Sequence, residues 1–563
     1  MTDILTFVLT FHHLLSIPSE HWVNLNPNPM NTLRAWSLTG SFILLFACVS
    51  GWAQTATGLD QKINDSFMPV ALWWERFVFS SIAGVPIVLI LLVLGALWFT
   101  FYFRFVNIRH FALAIRIVRG KYDHLERRKL QNDIPDTIKD EGHYGEVNHF
   151  QALATAVSGT VGLGNIAMVA VAISIGGPGA TFWMIVAGIL GMSSKFVECT
   201  LGVKYREISK AGSVFGGPMY YLSKGLKERQ MPWLGKVLSV AFAVLCVGAS
   251  FGGGNAFQSN QAAAQLISRF SLHTPSTGFY IGVVLALLVG VIIIGGIKRI
   301  ARVTEKIVPF MAILYVGAAL FILFAHTGEL GGIFRQIIDE AFTPKAGIAG
   351  GFFGVMIQGF RRAAFSNEAG AGSAAIAHAA VQTKFPASEG LVALLEPFID
   401  TVIICTLTAL VIILFNSEGV FAYGDVVNNE VLLTATGERI GGVNITSMAF
   451  DATLPGFSYL LVFAVLLFAF STMISWSYYG LQAWSFLFGR GRKTAMVYKI
   501  IFLTFTVLGS SVTLDAVIKF SDSMILALVF PNMIGLFFLF PDVKKEVTKY
   551  LRIISPENPG SRA

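Results

Sequence analysis

Two stretches of this 563-residue chain place glycine, hydroxyl and amide side chains inside otherwise apolar surroundings. The first reads Ala156-Val157-Ser158-Gly159-Thr160-Val161-Gly162-Leu163-Gly164-Asn165-Ile166-Ala167. The second reads Gly350-Gly351-Phe352-Phe353-Gly354-Val355-Met356-Ile357-Gln358-Gly359 and runs on through Arg361-Arg362 to Asn367-Glu368-Ala369-Gly370. Each glycine lowers helix propensity by about 1 kcal/mol, so both stretches are expected to unwind locally. An interrupted helix presents orphan N–H groups and a partial positive charge at one new end, which attract anions. Carbonyls at the other end attract cations. The chemistry of such residues is reversible ion binding.

A third stretch, Gly252-Gly253-Gly254-Asn255-Ala256-Phe257-Gln258-Ser259-Asn260-Gln261, follows an apolar run. A fourth, Ser471-Thr472-Met473-Ile474-Ser475-Trp476, sets adjacent hydroxyls among Phe and Leu. Hydroxyls of this kind ligate hard cations, which take several oxygens, or only bond the carbonyl one turn back.

Covalent chemistry finds no support. Gly162-x-Gly164-x-x-Ala167 has the spacing of a dinucleotide fingerprint, and Gly248-Ala249-Ser250-Phe251-Gly252 that of a nucleophile elbow. Both motifs need a preceding strand and a soluble sheet. HExxH, Walker and paired-carboxylate patterns do not occur, and His378 stands at the cytoplasmic end of an apolar segment. No enzyme and no cofactor is expected.

The elements that must position these residues follow from composition. Hydrophobic residues make up 54% and charged residues 13%, with a mean hydropathy of +0.66, against about 25% charged residues in soluble proteins. A water-soluble fold needs a polar rind that this chain does not supply. The composition implies an all-α polytopic membrane protein. The net charge of +8 reads as an orientation signal, because no basic stripe interleaved with aromatics points to nucleic acid. Cys48, Cys199, Cys246 and Cys405 lie far apart in apolar runs and read as small core hydrophobes.

Eleven segments reach the length of about 20 apolar residues that a span needs. They cover residues 82–106, 149–174, 178–202, 234–268, 277–297, 305–326, 347–375, 388–415, 457–487, 494–514 and 519–540, here numbered spans one to eleven. Cations crowd the loops after spans one, three, five, nine and eleven, whereas loop 416–456 holds Glu418, Asp425, Glu430, Glu438 and Asp451. The positive-inside rule then sets the N-terminus outside and the C-terminus in the cytoplasm. Ahead of them, residues 36–52 are a brief apolar run ending in Gly51-Trp52-Ala53. The expectation is a leader over 1–53, with a cleaved signal peptide at 30–53, in preference to an extra span. Residues 54–81 then form an extracytoplasmic segment, 82–545 the membrane domain and 546–563 a cytoplasmic tail.

Without span one, spans two and seven open two five-span halves, at about 149–326 and 347–540, of opposite orientation. Glycine-interrupted helices in matching positions of inverted halves point to a secondary transporter's binding site. A channel would use a continuous polar pore, usually in a symmetric oligomer, and is the weaker reading.

The blocks Gly164-Asn165-Ile166-Ala167, Gly176-Gly177-Pro178-Gly179-Ala180, Phe182-Trp183-Met184, Lys195-Phe196-x-Glu198, Gly216-Gly217-Pro218-Met219-Tyr220-Tyr221 and Phe365-Ser366-Asn367-Glu368-Ala369-Gly370-x-Gly372-Ser373-Ala374 resemble the alanine or glycine:cation symporter family. The resemblance runs from about residue 80 to 545. It implies sodium-coupled import of small neutral amino acids across a bacterial inner membrane, with proton coupling as the alternative. It also implies the inverted five-plus-five fold of the neurotransmitter:sodium symporters, whose first broken helix is similar to Val161-Gly162-Leu163-Gly164-Asn165.

On that resemblance, the amides of Leu163, Gly164 and Asn165 are assigned the substrate carboxylate. Carbonyls near Gly159 and Thr160, and from Phe353 to Ile357, are assigned its ammonium. Phe353, Met356, Ile357 and Trp476 are expected to wall a small cavity, with Gly253 leaving room for little beyond a methyl and Gln258 and Thr472 adding polar contacts. Sodium is assigned the carbonyls of Ser158 and Val161 with the hydroxyls of Ser471 and Thr472. Arg361 and Glu368 are expected to form a cytoplasmic gate, and Lys195 and Glu198 a structural pair reaching the interface.

Overall fold

The computed structural model describes residues 59–127, 145–209, 212–272, 274–344 and 350–554. The leader and its cleavage site lie outside the described residues. In chain order the helices that matter here begin with α1 (Leu59–Val78), α2 (Ile87–Tyr102), α3 (His149–Thr160), α4 (Val169–Gly176) and α5 (Gly179–Lys204). There follow α6 (Pro232–Phe251), α7 (Phe257–Phe270), α8 (Thr277–Ile293), α9 (Gly296–Ala325), α10 (Gly351–Asn367), α11 (Pro386–Val392) and α12 (Thr406–Phe415). A small antiparallel sheet, β1 (Phe421–Val427), β2 (Glu430–Leu433) and β3 (Arg439–Gly441), precedes α13 (Val443–Thr453). The chain closes with α14 (Phe457–Phe488), α15 (Arg492–Ser511), α16 (Leu514–Ala527) and α17 (Val529–Ile554).

Among the described residues, seven helical stretches are long and apolar enough to cross a membrane, and an eighth if α3 and α4 count as one broken span. Two shorter apolar helices, α2 and α8, stand at spans one and five. The protein is a multi-pass membrane protein. The sheet departs from the all-helical expectation. Its β1–β2 hairpin turns through Asn428 and Asn429, both at positive φ, the backbone that a tight two-residue hairpin demands.

Span two is interrupted as its composition implies. Asn148 caps α3 and forms a reciprocal capping box with Gln151. The helix stops at Val161, and the chain resumes through a wide π turn at Gly164–Met168, so that α3 and α4 meet at a 49° bend. A second π turn, Gly252–Ala256, joins α6 to α7 inside span four and is fully buried.

The interruption of span seven lies elsewhere than expected. Gly350 and Gly351 have positive φ and open a continuous helix, α10, that carries Gly354 and Gly359 without a break. The glycine run therefore marks a helix start. Gly359 serves close packing instead, since a Cβ there would lie 2.7 Å from the Ala180 carbonyl oxygen and 2.5 Å from Trp183 Cβ on α5. The chain breaks at the other end of α10, where Glu368 (φ +55°), Gly370 (φ +91°) and Gly372 (φ +85°) take left-handed conformations.

Helices also form at both ends of the membrane domain. α17 runs past residue 545 to Ile554, and its Asp542 and Glu546 pair with Arg229 and Lys204. Within the expected extracytoplasmic segment, α1 packs along α16, with Phe67 edge-on to Phe520. Gly359→Ala is predicted to lower the midpoint of thermal unfolding in detergent, reflecting overpacking of about 1–3 kcal/mol. Gly317→Ala, inside α9 where a Cβ meets nothing within 4 Å, should not lower the midpoint.

Candidate functional site

The opened backbone of span two is closed by side chains from other elements. Gln258 Oε1 accepts from the Leu163 amide at 3.0 Å, while Gln258 Nε2 donates to the Gly253 carbonyl at 2.9 Å. One glutamine thus ties the first interruption to the second. Asn165 Oδ1 accepts from the Gly162 amide at 2.9 Å, and its Nδ2 donates to Asp400 Oδ1 at 2.7 Å. Thr446 on α13 donates to the Ile166 carbonyl at 3.0 Å. Asp400 also accepts from Ser366 at 2.8 Å and from Thr401 at 2.7 Å. Its carboxylate therefore ties the break of span two to the last turn of α10.

Between α3 and α14 the hydroxyl-bearing residues meet. Thr472 Oγ1 donates to the Ser158 carbonyl at 3.0 Å, Ser158 Oγ to the Ser471 carbonyl at 2.8 Å, and Ser475 Oγ to Ser158 Oγ at 3.0 Å. Ser158, Val161, Ser471 and Thr472 are all buried, and a Cβ on Gly162 would lie 2.4 Å from Thr472 Oγ1. Oxygens from both helices thus gather beside the break.

Trp476 is fully buried and wedged between three elements. Its Nε1 donates to the Gly159 carbonyl at 3.2 Å and to Glu368 Oε1 at 3.1 Å, and a Cβ on Gly254 would sit 2.2 Å from its Cγ. Ser373 donates to the other oxygen of Glu368.

Several expected contacts are corrected. Phe353 is 60% exposed, with its ring against Phe352, because it lies in the first turn of α10. Met356 and Ile357 are half-buried, and at about 1.5 Å per residue the helix carries Met356 roughly 13 Å from Phe365. These three residues do not meet Gly253, and the carbonyls from Phe353 to Ile357 belong to an unbroken helix. The wall opposite the glycines is Phe365, whose ring lies 3.5 Å from a Cβ placed on Gly164 and 3.3 Å from one on Gly253. Ile525 closes the other side of Gly253, at 2.2 Å. The Leu163 amide is capped by Gln258 rather than open, and the Thr160 hydroxyl turns back toward the Ala156 carbonyl at 3.3 Å.

The charges are paired differently from expectation. Lys195 bonds Glu396 at 3.1 Å, whereas Glu198 accepts from Asn532 at 2.8 Å. Lys195 and Glu198 are fully buried and do not reach the interface. Arg361 and Arg362 both clasp Asp522, at 2.9 and 3.0 Å. Glu75 of α1 stands 3.7 Å from Arg361, whose guanidinium lies over the Phe79 ring. This cluster joins α10, α16 and α1 beside the start of α2. Burial raises the Glu75 carboxyl pKa, opposed by the attraction of Arg361.

Sequence reasoning passed over Asp400, Glu389, Glu396 and Asp522 because their spans are otherwise apolar. A lone acid within such a run is itself a signal, since buried membrane charges are costly and usually functional.

A profile of the sodium:alanine symporter family matches residues 73–559. The chain belongs to the sodium:alanine symporter family. The symporter is 36% identical over 475 residues to the sodium/alanine symporter AgcS of Methanococcus maripaludis, covering 84% of this chain and 96% of that relative. It is 31% identical over 467 residues to a probable sodium/glutamine symporter, GlnT, of Bacillus subtilis, covering 83% and 88%. The solved structure of MhsT with L-phenylalanine shares 15% identity at a TM-score of 0.47, covering 71% of this chain and all of that one. The family is one of amino-acid transporters, not of enzymes.

Two of the three glycines of the second interruption offer a test of size selection against structure. Gly253→Ala should press on the flexible Ile525 tip and reduce alanine uptake at least tenfold more than glycine uptake. Gly254→Ala should displace Trp476 and abolish both. Initial rates with the two labelled substrates check this; equal loss in Gly253→Ala contradicts it.

Proposed function

We propose that the symporter imports small neutral amino acids, alanine and glycine foremost, together with sodium by alternating access across a bacterial inner membrane. Its N-terminus faces outward and its C-terminus the cytoplasm. The observation that carries this reading is the meeting of the broken span two with Gln258, Thr472 and Trp476, beside the oxygens shared by α3 and α14.

The substrate carboxylate is received at Gly162 to Asn165, in exchange with the Gln258 amide that caps Leu163. Its ammonium is received by carbonyls at the end of α3, near Gly159, and by the last turn of α10. Phe365, Ile525 and Gly253 limit the side chain. An extra methylene in an apolar pocket changes binding by only about 1–3 kcal/mol, so rejection of larger side chains rests on steric walls. The identity of the wall residues therefore sets the substrate range, which differs in name among relatives of this family.

Sodium is taken by the Ser158 and Val161 carbonyls with the Ser471 and Thr472 hydroxyls. Because α3 and α14 each supply ligands, a bound cation favours whichever arrangement brings the two helices together. The Arg361–Arg362–Asp522 cluster, with Glu75, forms the extracytoplasmic closure, and its pairs must part for substrate entry. Lys195 and Glu198 hold the helices on the opposite side.

In proteoliposomes, an inward sodium gradient should concentrate labelled alanine above its external level. A channel cannot concentrate, and a proton-coupled carrier would ignore sodium. Thr472→Ala should raise the sodium concentration for half-maximal uptake about tenfold while leaving the maximal rate within threefold. An unchanged sodium dependence removes Thr472 from the ion site.

A further inference from the structure

The break after Asn367 is held from two sides. On one side Glu368 accepts from Trp476 of α14, whose indole also donates to the Gly159 carbonyl at the end of α3. On the other stands Asn532, in the first turn of α17 and fully buried. Its Nδ2 donates to the Gly370 carbonyl at 2.9 Å and to Glu198 Oε1 on α5 at 2.8 Å. Its Oδ1 accepts from the Tyr221 hydroxyl, on the helix Pro218–Glu228.

A side-chain amide has one acceptor oxygen and two N–H donors, and Asn532 commits them to three different elements. The Tyr221 hydroxyl fixes which way the amide faces. Reversed, the amide would set its oxygen against two others, those of Gly370 and Glu198. Asn side chains often join membrane helices by such bonds, and an apolar residue could fill the same space, as the buried neighbours Met533 and Leu536 do. An apolar residue could not hold a carbonyl. Gly370 lies beyond the end of α10 at φ +91°, so its carbonyl belongs to no helical ladder, and a bare carbonyl within the membrane is costly. Gly372 leaves room for the approach, since a Cβ there would lie 2.9 Å from Asn532 Cγ and 2.7 Å from Pro218 Cγ.

The arrangement is the counterpart of the one at span two. There the oxygen of Gln258 meets an opened N–H at Leu163; here an N–H of Asn532 meets an opened C=O at Gly370. The last turn of a helix carries carbonyls with no partner inside the helix, and where those of α10 face depends on how the chain leaves it. α17 follows α16 after the single residue Leu528, and Asp522 of α16 already clasps Arg361 and Arg362. Two consecutive helices therefore hold α10 on both sides of its last turn.

We propose that Asn532 is a positioning residue for the transported amino acid. It sets the backbone from Glu368 to Gly372, and through it the α10 carbonyls that receive the substrate ammonium. The inference rests on the import of amino acids through this site, and its test separates the two.

In proteoliposomes, Asn532→Ala is expected to raise the alanine concentration for half-maximal uptake, at saturating sodium, at least fivefold. The sodium concentration for half-maximal uptake, at saturating alanine, should stay within threefold, because the oxygens shared by α3 and α14 are bonded to one another and not to Asn532. Loss of packing alone would not divide the two values in this way. Tyr221→Phe leaves Asn532 in place but frees its amide to turn, and should raise the alanine value at least threefold; if Asn532→Ala is not folded, this variant is read alone. A smaller rise in the alanine value, or an equal rise in the sodium value, overturns the proposal. Wild-type protein without saturable alanine uptake removes the import reading and this inference with it, whereas saturable wild-type uptake with unmoved variants removes the inference alone.

Discussion

The structure depends on one constraint, which is that a peptide backbone opened within the membrane must find its hydrogen bonds inside the protein. An unsatisfied N–H or C=O group in hydrocarbon costs several kcal/mol. Between Val161 and Met168 the regular ladder of span two is lost. Gln258, Asn165 and Thr446 supply replacement partners from three directions. The same requirement explains why polar residues concentrate at this depth. Other interruptions, among them Gly252–Ala256 and the break after Asn367, are tied to the first through Gln258 and Asp400.

Each replacement partner is a hydrogen bond that an ion or zwitterion can replace in kind. Gln258 holds the Leu163 amide much as a carboxylate would, and the Ser158 carbonyl already accepts from Thr472. On the proposed reading, binding exchanges one set of polar contacts for another and never strips the backbone bare. Small residues make this possible. At Gly162 and Gly254 a methyl group would collide with Thr472 and Trp476, so the glycines serve close approach as well as flexibility.

Much of this was legible in the sequence, and the misses share a cause. Span two could be read correctly because glycine, amide and hydroxyl groups fall together in Gly162-Leu163-Gly164-Asn165. Span seven was misread because its glycines come in two groups with different tasks, starting and packing a helix at Gly350–Gly359 and breaking the chain at Gly370 and Gly372. Composition alone does not separate packing from unwinding, whereas the adjacent Ser366-Asn367-Glu368 marks the true break. Phe353 was misplaced as a consequence, and Phe365 was overlooked although it stood in a recognised block. Partners distant in sequence were the least legible. Nothing near Lys195 points to Glu396, and nothing near Arg361 points to Asp522.

The central claim is that the opened backbone of span two is itself the substrate-binding element. Hydrogen–deuterium exchange of the purified protein in sodium, with and without alanine, tests it most directly. The account predicts that alanine slows exchange in peptides covering residues 161–168, with little change in the uninterrupted helix Gly296–Ala325. Protection elsewhere, with exchange at 161–168 unaffected by alanine, would contradict it.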